Sequence, residues 1–341
     1  MSLLLFWHYY PRLFGAKALP EKSLEASYTI YRRLMMRKQW FSAVQHTFTA
    51  LASTTLVTLS LGFNPTLAQD PFRATNPRQI GDNTEAAFKA IFEQGNYQAA
   101  VNYLNQAEAS EPNEPLAYAM RASLAYTLHN DLNAFNNYGK RTLETGRQLI
   151  NQDPLRGNLY AAVGHFLQGA AALVGEGTVR GTPRALSELR QVYSYLDQAE
   201  AVAPNDPELN LLRGYMDLML AVNLPFSSPQ EAIDRLVKFA GPRYLADRGL
   251  AIGYRDLDQY TQALTYVERA LQATPDNPEL YYLKAQILAE QGNKQNNPSA
   301  LKAAVENFDR AIAKKDQLPS SLVEQIERER SRTFQRVSSA S

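Results

Sequence analysis

The sequence contains no cysteine, and it has little histidine or tryptophan. Its 341 residues include four histidines and two tryptophans. The absence of cysteine excludes disulfide scaffolds, cysteine-based zinc or iron–sulfur sites and thiol catalysis. A histidine-rich metal site is not expected from four histidines, so we predict neither a metal site nor a cofactor.

The chain also lacks an excess of charge of either sign. It has 35 basic and 34 acidic residues, a net charge of +1. No strong global field therefore attracts nucleic acid, and we do not predict nucleic acid as a partner. Apolar residues make up 45% of the chain, which supplies an extended core and excludes disorder as a class. A chain of 341 residues favours two domains or one long repeat array.

The N-terminal residues resemble an export signal. We interpret residues 1–34 as a spurious or non-native extension, with the natural start at Met35 or Met36. Residues 35–68 then run from basic to apolar to small residues, the order of a signal peptide, with cleavage expected near Ala68. The apolar stretch 41–63 is long enough to span a membrane, so an uncleaved anchor stays open. Without residues 1–68 the chain has 28 basic and 32 acidic residues.

Proline-rich motifs divide the rest of the chain at intervals. They lie at 111–115, 152–154, 203–207 and 274–278. The first proline of such a motif ends a helix, whereas the second proline, after Asn or Asp, is tolerated at the start of the next helix. This spacing predicts successive pairs of helices.

Small and aromatic residues recur between these prolines at spacings that resemble the tetratricopeptide repeat, a 34-residue helix–turn–helix unit. The clearest copy is 244–277, where Leu250, Ala251 and Tyr254 are followed by Ala263 and Pro275. Further copies are 81–114, 115–154, 157–206, 207–240 and 278–318, the last with an overlong turn from Gly292 to Ser299. Small residues at such spacing allow two helices to cross closely, and stacked copies bury the apolar faces that one pair cannot bury alone.

The resemblance implies an all-α, right-handed superhelical solenoid of about six repeats. We expect a flexible lead-in at 69–80, the repeat array at 81–318, and a capping helix and tail at 319–341. The signal and the style of repeat also resemble exported cyanobacterial repeat proteins. This likeness makes the periplasm or the thylakoid lumen the expected location.

The resemblance further implies which side chains face the concave groove of the superhelix. These candidate partner-binding residues are apolar and aromatic in the middle of the array, with two arginines nearby. They are Tyr126, His165, Gln168, Leu211, Tyr215, Leu218, Met219, Arg248, Ile252, Arg255, Tyr282 and Gln286. For the group from Leu211 to Met219, burial against a neighbouring repeat is the alternative.

No pattern of residues predicts catalysis. His129 and His165 have no partner at metal-ligand spacing, and the glycine-rich segment 175–181 lacks the features of a phosphate loop. We therefore predict a non-catalytic exported scaffold that binds a protein or peptide in its groove. The alternative is an assembly or carrier factor that holds a small hydrophobic ligand or pigment.

Overall fold

A computed structural model describes residues 70–73, 75–223 and 228–339. Within these ranges the regular structure is helical, with no strand. The helices are α1 (Asp82–Phe92), α2 (Tyr97–Ser110), α3 (Pro115–His129), α4 (Leu132–Leu149), α5 (Pro154–Val202), α6 (Pro207–Asn223), α7 (Gln230–Lys238), α8 (Arg243–Asp256), α9 (Tyr260–Ala273), α10 (Pro278–Gln295), α11 (Pro298–Ile312) and α12 (Ser320–Ser339).

The proline-rich motifs start helices as predicted. Pro115, Pro154, Pro207 and Pro278 are the first residues of α3, α5, α6 and α10. Pro298, which lies in none of these motifs, likewise begins α11. Proline suits this position because its missing N–H has no partner within the helix there. For α5, α10 and α11 the preceding Asp or Asn side chain accepts a hydrogen bond from a backbone N–H of the first turn.

Helix α5 is itself a helical hairpin. Gly177 has φ 77° and ψ 168°, which interrupts the helix and divides it into a first arm (154–176) and a second arm (178–202). A Cβ on Gly181 would lie 2.3 Å from the carbonyl oxygen of Ala172, so the second arm packs antiparallel against the first with their backbones in contact. The described residues thus form six antiparallel pairs of helices followed by α12. In chain order, pairs 1 to 6 are α1–α2, α3–α4, the two arms of α5, α6–α7, α8–α9 and α10–α11. The predicted fold class, an all-α helical repeat solenoid, is confirmed.

Glycines let α4 and the first arm of α5 pack unusually closely. A Cβ on Gly164 would lie 2.6 Å from the Cα of Leu143, and one on Gly157 would lie 2.4 Å from the backbone N of Ile150. A Cβ on Gly146 would similarly meet the backbone of Ala161 at 2.7 Å. The two backbones are therefore in contact along one continuous face.

The predicted long turn between Gly292 and Ser299 is wrong. Helix α10 continues to Gln295, and α11 begins at Pro298. Asn296 ends α10 in the left-handed conformation, with φ 49°, and Asn297 caps α11. The residues from Gly292 to Gln295 lengthen α10, because none of them ends the helix before Asn296 does.

The array curls until its two ends touch. The Nδ2 of Asn277, at the start of α10, donates a 3.0 Å hydrogen bond to the carbonyl oxygen of Phe92, at the end of α1. The Tyr97 hydroxyl donates to Glu279 at 2.9 Å, across 182 positions of sequence. Pair 1 therefore lies against pair 6, and the superhelix is closed on this side.

The segment before α1 takes part in this closure. Asp70, Phe72 and Ile80 are buried, and the ring centroids of Phe72 and Phe88 are 5.0 Å apart. The expectation of a flexible lead-in is wrong from Asp70 onward, because this segment has its own aromatic and ionic contacts. Residues 1–69, which include the predicted extension, signal peptide and cleavage point, lie outside the described residues. Of the helices described, none has the length and apolarity needed to span a membrane.

Candidate partner-binding site

The structure places most of the predicted groove residues in the interior. Leu211, Tyr215, Leu218, Met219, Ile252, Arg248, Arg255, Tyr282, His165 and Gln168 are all buried, whereas Tyr126 and Gln286 are partly exposed. The expectation that these positions line an open groove is therefore wrong for this conformation. The reasons differ along the array. Adjacent helices cover the residues of α6, the second arm of α5 covers His165, α12 covers Tyr282, and contact between the two ends of the array encloses Arg248.

Helices α6 and α8 approach so closely that the Leu211–Met219 group becomes core. A Cβ on Gly249 would lie 2.4 Å from the Tyr215 ring, and one on Gly253 would lie 2.4 Å from Leu218. The Tyr215 hydroxyl donates a 2.6 Å hydrogen bond to the carbonyl oxygen of Leu245. Burial raises the pKa of Tyr215 well above its ordinary value. The alternative noted for this group, packing against a neighbouring repeat, is the one observed.

Arg248 lies where pair 1 meets pairs 5 and 6. Its Nη2 donates to Glu279 Oε2 at 2.6 Å, and the Tyr97 hydroxyl donates to the other oxygen of the same carboxylate. Burial lowers the pKa of Arg248, but the charge of the nearby Glu279 carboxylate and the other neighbouring groups raise it by more. The net shift of the pKa is upward, so the guanidinium stays charged. Its Nε and Nη1 are buried without a hydrogen-bond partner. The site is therefore a fully enclosed cation with one carboxylate.

A second polar group lies under the capping helix. Arg255 Nη1 donates to Gln286 Oε1 at 3.0 Å, and Gln286 Nε2 donates to the Tyr282 hydroxyl at 2.8 Å. Tyr282 and Gln286 in turn donate to the Glu329 carboxylate of α12 at 3.0 and 3.2 Å. The three predicted residues are thus brought together, but with α12 as their partner.

His165 does not face a groove. Its Nδ1 lies 2.7 Å from Glu188 Oε2, its Nε2 lies 3.2 Å from Arg147 Nη2, and its ring stacks on Tyr195. A neutral imidazole that donates through Nδ1 and accepts at Nε2 fits both contacts. Gln168 donates to the carbonyl oxygen of Asn136 in α4. Both residues join α4 to α5, and the described residues contain no group of three or more side chains suited to a metal ion.

The sequence analysis missed the ionic group that surrounds Arg73. Arg73 donates from Nε and Nη2 to both oxygens of Asp206, at 2.8 and 2.7 Å, and from Nη2 to Glu208 at 3.0 Å. Its Nη1 donates to Asp70 at 2.6 Å. Burial lowers the pKa of Arg73, but Glu208, Asp206 and Asp70 raise it more, so its net shift is upward. Repeat spacing gives no signal for this group, since Arg73 precedes the first repeat.

The same ionic group continues into the molecule. Glu208 accepts a 2.6 Å hydrogen bond from the Tyr160 hydroxyl, and Arg156 pairs with Glu114 at 2.8 Å and lies 3.6 Å from Glu208. Burial raises the pKa of Glu208, while Arg156 and Arg73 oppose this shift. These residues stand at the starts of α3, α5 and α6, so one buried network holds three helix ends and the N-terminal segment together.

Comparison with known proteins supports the class suggested by this architecture. Residues 85–145 and 248–313 match a family described as tetratricopeptide repeat. The two regions contain pairs 1 and 2 at one end of the array and most of pairs 5 and 6 at the other. This double match supports a tetratricopeptide repeat protein, a class whose members generally mediate protein–protein interaction and are typically non-catalytic. No curated protein matches the chain.

Proposed function

We propose that this protein is a non-catalytic scaffold that binds an extended segment of a partner protein on the inner face of its superhelix. The inner face comprises the sides of α3, α6, α8 and α10 that carry the candidate residues. The observation that supports this proposal is the repeat array itself, with tetratricopeptide matches at both ends. Such arrays owe binding specificity to a few side chains on an extended surface.

The packing of the interior favours a protein partner over a carried ligand. At Tyr215 and Leu218, side chains already fill the space between α6 and α8. A small hydrophobic ligand would need an apolar cavity there, whereas an extended segment can use the edges of the inner face. Tyr126 and Gln286 are the candidate residues that remain partly exposed at those edges.

Photocrosslinking in the source organism tests this assignment. A photoreactive phenylalanine analogue replaces Tyr126 or Gln286 in the full chain, and exposed Asn102 or Lys302 on second helices of the pairs serves as the matched control position. We expect a covalent adduct with the same protein from both inner positions and none from the outer ones. Adducts from the outer positions alone would move the binding surface to the outside of the array.

We also propose that the protein is exported to the periplasm or the thylakoid lumen. The order of residues in 35–68 supports this, and so does the position of Asp70, a buried and ion-paired residue just beyond the predicted cleavage point. Mass spectrometry of the purified protein should find an N-terminus near Gln69. A purified protein that still contains Trp40 would favour the membrane-anchored form.

A further inference from the structure

We propose that residues 70–73 and 75–97 form a latch that closes the inner face, and that an acidic segment of a partner takes the place of Tyr97 beside Arg248 when the latch opens. The latch comprises the described residues of the N-terminal segment up to Ile80, α1, and the turn that leads into Tyr97 at the start of α2. Contacts within the chain support its closure, whereas the acidic partner rests on the proposed function.

The first attachment of the latch is ionic. The guanidinium of Arg73 donates to both oxygens of Asp206, the capping residue at the start of α6, and also to Glu208, two residues further along the chain. Bidentate pairs of this kind are among the stronger charge-assisted hydrogen bonds. Arg78 adds an ion pair with Asp153 at the start of α5. The segment is therefore fastened to the ends of two helices by charges.

The second attachment depends on close backbone contact. The carbonyl oxygen of Phe72 would lie 3.0 Å from a Cβ on Gly241, just before α8. On its other side the Phe72 ring meets Phe88 of α1 edge to face. Phe72 thus holds the N-terminal segment and α1 together within the latch and fastens both to the start of pair 5.

The third attachment reaches the carboxylate that binds Arg248. Gly95, with φ 64°, lets the α1–α2 turn approach Pro278, where a Cβ on Gly95 would lie 2.7 Å from the proline ring. This approach places the Tyr97 hydroxyl on the Glu279 carboxylate that also binds Arg248. The turn therefore occupies the part of the inner face that holds the candidate cation.

The closed state leaves Arg248 incompletely satisfied. Its Nε and Nη1 have no hydrogen-bond partner although the residue is only 1% exposed. A buried donor without an acceptor is costly, and a guanidinium is best matched by a carboxylate that accepts two bonds. An incoming carboxylate would supply the missing acceptors, which is why an acidic segment fits this position.

Hydrogen exchange in the full chain tests the latch without any ligand. Arg73→Gln removes the ionic attachment, and exposed Arg190→Gln is the matched control. We expect Arg73→Gln to speed amide exchange at least tenfold in 70–80, in 92–97 and at the start of α10, with α4 unchanged. Unchanged exchange at 92–97, or a uniform increase along the chain, would overturn the latch. Tyr97→Phe provides a milder second variant, expected to speed exchange only in 92–97 and 277–280.

Peptide binding tests the partner separately. The probe is a labelled ten-residue peptide of alternating Glu and Leu, with Lys in place of Glu as the control peptide, and the readout is fluorescence anisotropy. We expect Arg73→Gln to bind the acidic peptide at least tenfold more tightly than the native chain does. Arg73→Gln/Arg248→Gln/Glu279→Gln, which removes both members of the buried pair and so leaves no unpaired charge, should lose that gain. Faster exchange without peptide binding would keep the latch and contradict the acidic partner, whereas the inner-face function is decided separately by photocrosslinking at Tyr126 and Gln286.

Discussion

Glu93 lies in the α1–α2 turn, where its carboxylate accepts a 3.3 Å hydrogen bond from the Tyr244 hydroxyl. Burial raises the pKa of Glu93, and this effect exceeds the opposing influence of Lys89 and of the hydrogen bond. A carboxyl with a raised native pKa stabilises the fold fully below its unfolded pKa of about 4.3 and loses that contribution as pH rises through the native value. Ionisation of Glu93 therefore costs more free energy in the native state than in the unfolded chain.

We therefore expect Glu93→Gln to be at least as stable as the native chain at pH 7. The free energy of unfolding of the native chain minus that of the variant should fall as pH rises from about 4 to 7, because only the native chain loses a tightly held proton. Urea titrations at several pH values measure this difference, with exposed Glu144→Gln as control. A difference that is constant or rises with pH would contradict the assignment.

Arg248 and Glu279 form an enclosed pair whose members depend on each other. Arg248→Met leaves the Glu279 carboxylate buried with only the Tyr97 hydroxyl, and removing one member of a buried ion pair typically costs about 3–5 kcal/mol. Arg248→Met/Glu279→Gln removes both charges, so it should recover most of this loss. The free energies of unfolding in urea give the comparison. If the double variant is no more stable than the single one, the pair does not act as a unit.

Among the helices, the contact between α4 and the first arm of α5 depends most on glycine. Gly164→Ala would place a Cβ 2.6 Å from the Leu143 backbone, which neither helix can relieve without moving. Overpacking of this kind costs about 1–3 kcal/mol.

Gly169→Ala in the same arm is the matched control. Its Cβ would first meet the Glu188 Cβ at 3.3 Å, a contact that a small shift relieves. Because alanine favours a helix over glycine by about 1 kcal/mol, this variant should be neutral or stabilised. Equal losses of thermal stability in the two variants would show that backbone contact does not limit this interface.

At the level of helices the sequence predicted the pairs well, because proline, capping residues and small residues act locally. It failed where a pair departs from the repeat length. In pair 3 the second arm contacts the first arm at Gly169 and Ala172. The repeat spacing places this contact between the two helices earlier in the first arm. His165 therefore faces Glu188 and Tyr195 instead of the groove. The shift follows from the hairpin at Gly177, whose position the spacing alone does not reveal.

For the whole molecule, burial of the inner face could not be predicted from repeat spacing. It depends on contacts between residues 92–97 and 277–279, which share no pattern and are far apart in sequence. It depends also on the segment 70–80, which belongs to no repeat. Residues such as Leu218 and Ile252 match the repeat whether the superhelix is open or closed, so their identity alone does not distinguish the two states.

The contact between pair 1 and pair 6 also changes how the array is expected to unfold. In an open solenoid each repeat contacts only its neighbours, so damage at one end stays at that end. Here α12 covers pair 6 through Leu322 and Ile326, both buried, and pair 6 contacts pair 1 through Asn277 and Glu279. Destabilising α12 at the C-terminus should therefore also destabilise the latch at the N-terminus.

Ile326→Ala tests this coupling, because truncating a buried isoleucine typically costs about 2–5 kcal/mol. We expect faster hydrogen exchange in α10 and α11, and also in residues 92–97, while α3 and α4 keep their protection. The exposed Glu327→Ala on the same helix is the control. Faster exchange confined to α10–α12 would mean that pair 1 remains in place when pair 6 loosens. The contacts of Tyr97 and Asn277 would then lie at the edge of a solenoid that unfolds from its end, without coupling that end to the latch.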